Sequence, residues 1–267
     1  MKKSRSLRSM IIFLAVVLVI PILCFSLYLQ AQTWKIMKHN LQRELSGELN
    51  TADHILQMIV DKYDMVLYDF CTDDAMIELV EDINESEKPS DALKYQIRRN
   101  LAHICNRNEG VEGITLITES GQVCFYDKRA ASFVSTKWAN RISVSDIQDQ
   151  MALYRGSSEV IGEAEHPVHM FQLVRRLADY RNINRRIGTV ILSVDQSVLW
   201  KEIQVSAQSS VYVCESGQII AAADTKQIGS SILSKPQRGY RVLQTKNKKT
   251  GWDVYHFYET AQFEQMV

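Results

Sequence analysis

The stretch VYVCESGQIIAAAD at residues 211–224 places two apolar, β-rich runs on either side of Ser216-Gly217. This pattern predicts a β-hairpin, because glycine readily supplies the positive φ angle that a tight turn needs. The stretch GITLITESGQVCFYD at residues 113–127 has the same arrangement, and both stretches carry Glu-Ser-Gly-Gln at the turn. One tetrapeptide at the same place in the same unit predicts two related α/β modules in tandem.

Around the two hairpins the apolar pattern alternates between helix and strand. The run IGTVILSV at residues 187–194 predicts a buried strand, and Asp195 follows it as the N-cap of a helix that ends near Gln204. Another helix begins near Asp91, which can cap it, and a last pair of strands flanks residues 247–250. The predicted fold class is α/β (α+β), with antiparallel sheets.

The first thirty residues carry the membrane signal. Four cations in residues 1–9 precede the uncharged, apolar run of residues 10–29. About 20 apolar residues in a helix span the ~30 Å hydrocarbon core, and the cations favour a cytoplasmic N-terminus. A cleaved signal peptide is the alternative, but the run is longer than the usual apolar region of such peptides. Both interpretations place residues 30–267 outside the cytoplasm, and the uncleaved anchor also holds them at the cell membrane.

Residues 30–84 predict one long stalk helix. Apolar residues recur there at intervals of three and four, from Trp34 to Phe70. Such a stripe must be buried, either against the chain's own domain or against a second copy. We expect a homodimer through the stalk helix, with packing inside the chain's own domain as the alternative.

Charge and cysteine content argue against several classes of protein. The chain has 31 basic and 31 acidic residues, and this zero net charge does not indicate a nucleic-acid binder. No nucleophile motif accompanies the scattered histidines, so no catalytic site and no cofactor are expected. Four cysteines lie beyond the apolar run without zinc-site spacing, and they permit either disulfides of undetermined connectivity or reduced thiols. They are Cys71, Cys105, Cys124 and Cys214.

The order of these elements resembles the double Cache (PAS-like) sensor domain of bacterial histidine kinases and chemoreceptors. The resemblance covers residues 33–258. Its most specific parts are IGTVILSVDQSVLWKEI at 187–203, VYVCESGQIIAAADTKQIGSSI at 211–232 and GWDVYHFY at 251–258. It implies that the two modules receive a signal outside the cell and pass it along the stalk helix.

The resemblance also implies domain boundaries. Residues 85–195 would form the membrane-distal module, residues 196–260 the membrane-proximal module, and residues 261–267 the start of a link to a second membrane span. The charged start and the proline in the anchor are closest to Cache-containing sensor histidine kinases. The chain would then be the sensor portion, and a response regulator would be reached only through a cytoplasmic part that it does not contain.

The family's ligand pocket lies in the distal module, where a guanidinium holds a carboxylate and an acidic side chain in an aromatic setting holds an ammonium. Trp138 and Asp195 stand near the corresponding places, but the arginine expected two positions before Trp138 is absent, which argues against amino-acid sensing. Aromatic platforms with a few polar groups also suit sugars or small organic acids. The other candidate ligand-binding residues are Arg141, Tyr154, Phe171 and Arg175.

These candidates have structural alternatives, and so does the function. Trp138 and Phe171 are residue types that commonly fill a core, and arginines are commonly surface cations. The small-molecule sensor could equally belong to a chemoreceptor or another Cache receptor, because such an ectodomain would look much the same. A third interpretation is an anchored module that binds a partner solute-binding protein, which a groove filled by side chains would favour.

Overall fold

The computed structural model describes residues 2–128, 152–161, 168–179, 185–203, 210–234 and 239–259. It divides into two compact units within the first helix, and the larger unit spans Leu49–Tyr258. The smaller unit contains the first part of helix α1 (Lys2–Cys71), which continues past Pro21 without interruption. Side chains such as Ile22 and Phe25 are 66% and 62% exposed there. Among the described residues this is the one helix long and apolar enough to span a membrane, although a signal sequence passes the same test.

The stalk helix predicted to reach residue 84 is instead two helices. Helix α1 ends at Cys71, and helix α2 (Asp74–Glu85) begins after Asp73. The Asp73 side chain caps α2 by accepting a hydrogen bond from the N–H of Met76 at 2.9 Å. The hydroxyl of Thr72 donates to the carbonyl of Tyr68 at 2.9 Å, which satisfies one group at the end of α1. The apolar spacing continues across the break, but a capping side chain starts a new helix there.

Helix α3 (Asp91–Arg107) follows, as its apolar spacing predicts. Its N-cap is Ser90 and not Asp91, because the Ser90 hydroxyl accepts from the N–H of Leu93 at 3.2 Å. Asp91 lies in the first turn, where its negative charge interacts favourably with the positive end of the helix dipole and stabilises the helix. The buried side chains of α3 are Ile97, Leu101 and Cys105.

The first sheet has five antiparallel strands in the order β2-β1-β5-β4-β3. The predicted hairpin around Gly121 and the predicted buried strand are both confirmed, as β1-β2 and β5. Gly121 has φ +82°, as the turn requires. The strands are β1 (Val111–Thr118), β2 (Val123–Asp127), β3 (Ala152–Ile161), β4 (Val168–Ala178) and β5 (Arg186–Asp195).

Helix α4 (Ser197–Ile203) follows β5, and a second sheet of four antiparallel strands follows α4, in the order β7-β6-β9-β8. The hairpin around Ser216-Gly217 and the last strand pair are confirmed. Short 3-10 helices at Thr225–Gln227 and Ile232–Ser234 come between β7 and β8. The strands are β6 (Ser210–Glu215), β7 (Gln218–Ala222), β8 (Tyr240–Lys246) and β9 (Asp253–Glu259).

The four cysteines of the larger unit are buried free thiols, so the structure corresponds to the reduced alternative. Burial raises the pKa of Cys71, Cys105 and Cys214 to about 12. A thiol with so high a pKa is almost wholly protonated at neutral pH, and the thiolate is the reactive form. These cysteines therefore serve the core as small apolar side chains.

Candidate functional site

The two faces of the first sheet differ in chemistry. Along β4 and β5, Leu173 pairs with Leu192, and both belong to the large apolar cluster that includes side chains of α1, α2 and α3. Since successive side chains of a strand point to opposite faces, Gln172 and its partner Ser193 lie on the other face. We call the face of Leu173 the inner face and the face of Gln172 the outer face.

The outer face combines small polar groups with aliphatic side chains, and most of them are buried. Its aliphatic centre is Val174 and Ile191, which are fully buried. Gln172 donates from Nε2 to the hydroxyl of Ser193 at 3.4 Å. The buried polar side chains of this face are Thr115 (3% exposed), Gln172 (4%), Thr189 (0%) and Ser193 (8%). Amide and hydroxyl groups beside an aliphatic surface are what orients a small molecule in a mainly apolar site.

Asp195 ends β5 on the outer face, opposite Met170 of β4. Its Oδ1 accepts a hydrogen bond from the N–H of Ser197 at 2.8 Å, and its own N–H donates to the carbonyl of Gly110 at 2.8 Å. The side chain thus makes an Asx turn at the start of α4, close to the N-cap role that the sequence predicts. The turn fixes the direction of the carboxylate at the edge of the outer face.

Phe171 lies on the inner face and is fully buried in the core. Its ring packs edge to face on Tyr63 of α1, with centroids 6.2 Å apart, and on Trp252 just before β9, at 5.9 Å. Both partners are 1% exposed. Phe171 therefore joins α1 and the two sheets, which matches the core alternative given for it above.

Tyr154 and Arg175 lie close together, also on the inner face. Arg175 donates from Nη1 to Oδ1 of Asp64 on α1 at 3.2 Å, and Lys249 places its ammonium 5.7 Å from the centre of the Tyr154 ring. Lys249 also donates to Asp61 and, at 2.9 Å, to Oδ2 of Asp64. We call these five residues the junction cluster: Asp61, Asp64, Tyr154, Arg175 and Lys249.

The pKa shifts of Lys249 and Asp61 reflect the contact between these two residues. Burial opposes the charge of Lys249, but the hydrogen bonds that it donates to Asp61 and Asp64 outweigh that effect and raise its pKa. Burial likewise opposes the charge of Asp61, and the hydrogen bonds from Lys249 and Gln57 nevertheless lower its pKa. Burial is the main reason that the pKa of Tyr154 is raised, so this phenol stays neutral. The cluster is therefore an ionic contact between α1, the first sheet and the β8-β9 turn.

The structure separates the four of the six predicted residues that it describes. Asp195 is at the outer face, whereas Tyr154, Phe171 and Arg175 are on the inner face. Trp138 and Arg141 lie outside the described residues. Sequence reasoning missed the polar row of the outer face, although the alternation of polar and apolar residues in β5 carried that signal. It also missed Asp64 and Lys249, whose partners are far away in the sequence.

Comparison with known proteins rests on structure, since no protein-family model and no curated protein sequence matches the chain. The sensor domain of the V. cholerae histidine kinase DctB superposes with a TM-score of 0.63 at 10% identity, over 83% of this chain and 98% of that one. The chain therefore has the fold of this sensor domain. The resemblance inferred from the two hairpins is thus confirmed at the level of the fold.

Chemoreceptor domains share this sensor-domain fold. The ligand-binding domain of Campylobacter jejuni Tlp3 in complex with L-valine has a TM-score of 0.59 at 8% identity, over 86% of this chain and 97% of that one. The ligand-binding domain of Pseudomonas fluorescens CtaA in complex with L-serine has a TM-score of 0.53 at 12% identity, over 84% and 99%. At identities this low, the superpositions establish a common fold only. Each binding site has to be argued from the chain's own residues.

Proposed function

We propose that the chain is the extracytoplasmic sensing portion of a membrane-anchored receptor and binds a small molecule at the outer face of the first sheet. The observation that carries the proposal is the row of buried polar side chains on that face, next to Asp195. The sensor-domain fold and the apolar N-terminal part of α1 support it. In this proposal the N-terminus is cytoplasmic and the first sheet belongs to the membrane-distal module.

The receptor class that we propose is a two-component sensor histidine kinase. The kinase part and its contact with a response regulator would lie in segments that this chain does not contain. The fold is shared with the DctB sensor domain, which supports this choice, and also with chemoreceptor domains. The sensing step is common to both classes, so it can be tested on this chain alone.

A thermal-shift screen tests the proposed ligand site. The full chain in detergent micelles is heated with sugars, organic acids, amino acids and oligopeptides, one compound at a time. A ligand at 100 times its Kd should stabilise the protein by about 2.7 kcal/mol. Gln172→Leu removes the amide of the outer face at similar volume, and Asp195→Asn removes the charge but keeps an acceptor for the N–H of Ser197. We expect each variant to weaken binding about tenfold or more, a loss of about 1.4 kcal/mol.

Lys248→Met, at an exposed position of the β8-β9 turn, is the control, and it should leave the affinity unchanged. If the outer-face variants leave the shift unchanged, the ligand binds elsewhere than we propose. Trp138→Ala tests the remaining aromatic candidate in the same assay. If no compound of any class shifts the transition, the small-molecule function is wrong for these classes, and binding of a solute-binding protein becomes the leading function.

We further propose that the receptor is a homodimer through α1. In the larger unit, one side of α1 exposes Met58 (53%), Met65 (66%) and Tyr68 (51%). Spacings of seven and three residues place these side chains along one stripe, as in a helix that pairs with another helix. The opposite side of α1 is buried in the chain's own core at Leu56 and Val60. From Leu49 onward, the stripe found in the sequence is thus buried in the chain's own core, and the proposed dimer uses a different side of α1.

Disulfide cross-linking tests the dimer. In a Cys24→Ser background, which removes the exposed native thiol, Met65→Cys should convert most of the membrane-embedded chain to a covalent dimer on mild oxidation. Glu87→Cys places an equally accessible thiol in the loop between α2 and α3, and it should give little dimer. Equal cross-linking at the two positions would indicate random collision and would argue against pairing through α1.

A further inference from the structure

The carboxylate of Asp64 is shared between the two sheets. Its Oδ1 accepts from Arg175 of β4 at 3.2 Å, and its Oδ2 accepts from Lys249 of the β8-β9 turn at 2.9 Å. The side chains of Asp64, Arg175 and Lys249 are 19%, 15% and 23% exposed, so water screens these contacts only partly. One anion on α1 therefore holds a cation from each sheet, with one oxygen for each.

The β8-β9 turn presents Lys249 from a fixed backbone. Asn247 is 1% exposed, and its Oδ1 accepts from the N–H groups of Lys249 and Thr250 at 3.1 and 3.0 Å. The hydroxyl of Thr250 in turn accepts from the N–H of Trp252 at 3.1 Å. Because the turn is braced by its own side chains, a displacement of Lys249 must move the turn as a unit.

The same turn is docked at three places on one side of α1. Asn247 donates from Nδ2 to Oδ1 of Asp53 at 2.9 Å, and Lys249 donates to Asp61 and Asp64. Asp53 and Asp64 are eleven residues, or about three helical turns, apart, so they lie above one another on the helix. Asp61 is adjacent to Asp64 on the surface of α1. A slide or rotation of α1 past the second sheet would break these contacts together.

We infer that the β8-β9 turn is a latch that fixes the position of α1 against the second sheet, and that Asp64 couples this latch to β4 of the first sheet. When β4 moves and draws Arg175 away, the Asp64 carboxylate loses the contact that holds its Oδ2 toward Lys249, and the latch weakens. A signal can be passed on by an element that has two discrete arrangements, provided that the signal stabilises one arrangement more than the other. The latch, engaged or released, supplies that element. Only the identity of the trigger, a ligand bound at the first sheet, rests on the proposed function.

Hydrogen exchange of the full chain in phospholipid nanodiscs, without any ligand, tests the coupling. Arg175→Met removes the first-sheet cation, and we expect amide exchange in residues 247–252 to rise about fivefold or more, the lower end of typical coupling between sites. Lys249→Met should produce a rise of the same order in residues 152–155 of β3 and 172–176 of β4. Lys248→Met is the matched control, because Lys248 is the exposed neighbour in the same turn, and it should change neither segment.

Helix α3, which packs on β1 and β2 at the edge of the first sheet away from β3, serves as the internal reference, and its exchange should stay unchanged in all variants. The inference is overturned if Arg175→Met affects only the first sheet, or if Lys248→Met has the effect of Lys249→Met. It is also overturned if exchange in α3 rises as much as in the turn, because the variants would then loosen the whole domain. No ligand is used, so a failed ligand screen and a failed coupling test are separate results.

Discussion

Gly110→Ala is expected to lower the free energy of unfolding by about 2–5 kcal/mol. Gly110 has φ +79°, a conformation that costs an L-residue about 1–2 kcal/mol. A Cβ at this position would overlap Cγ1 of Val198 on α4 and lie 2.7 Å from the hydroxyl of Tyr63 on α1. Relieving such an overlap in a packed interior typically costs about 1–3 kcal/mol more. Urea denaturation of the full chain in micelles, followed by tryptophan fluorescence, measures the change.

Gly121→Ala is the matched control for this prediction. Gly121 has nearly the same backbone conformation, φ +82°, but nothing lies within 4 Å of the position its Cβ would take. Its cost should therefore be limited to the backbone, about 1–2 kcal/mol. The difference between the two losses in unfolding free energy measures the cost of disturbing the packing of α4 and α1 around Gly110. Equal losses would show that this contact is not tight and that only the backbone angle matters.

The two hairpins and the long first helix were predictable because their signals are local. A glycine between β-branched runs specifies a turn within a few residues, and Gly121 and Gly217 adopt the positive φ angles that this requires. The break between α1 and α2 was missed because the apolar spacing continues across Thr72 and Asp73. A capping aspartate at Asp73 was visible in the sequence, but an aspartate on an exposed helix side looks the same without the structure.

The candidate site was predicted less well, because residue type does not say which face of a strand a side chain occupies. Phe171 and Arg175 were selected as an aromatic and a cation, yet the register of β4 with β5 turns both toward the helices. A shift of one residue in register would have turned both toward the outer face. Asp64 and Lys249 are 185 residues apart, and no local pattern connects an acidic side chain on a helix with a lysine in a distant turn.

Phe171→Ala should cost about 3–5 kcal/mol of unfolding free energy, the range for removing a large aromatic side chain from a core. Phe171 is 0% exposed, and its two edge-to-face contacts with Tyr63 and Trp252 add to the burial of its own surface. Because these partners lie on α1 and next to β9, a cavity here weakens the contact between helix and both sheets at once. Thermal and urea unfolding of the full chain in micelles measure the loss.

Two comparisons decide whether Phe171 is a core residue or a ligand contact. Phe125→Ala removes the same side chain from a half-buried position in β2, and we expect it to cost clearly less. Phe171→Leu keeps much of the volume and should recover a large part of the stability lost in Phe171→Ala. A residue that lined a ligand pocket would show the opposite behaviour. Phe171→Ala would then leave the unliganded protein nearly as stable as the wild type and reduce only the shift produced by a bound compound.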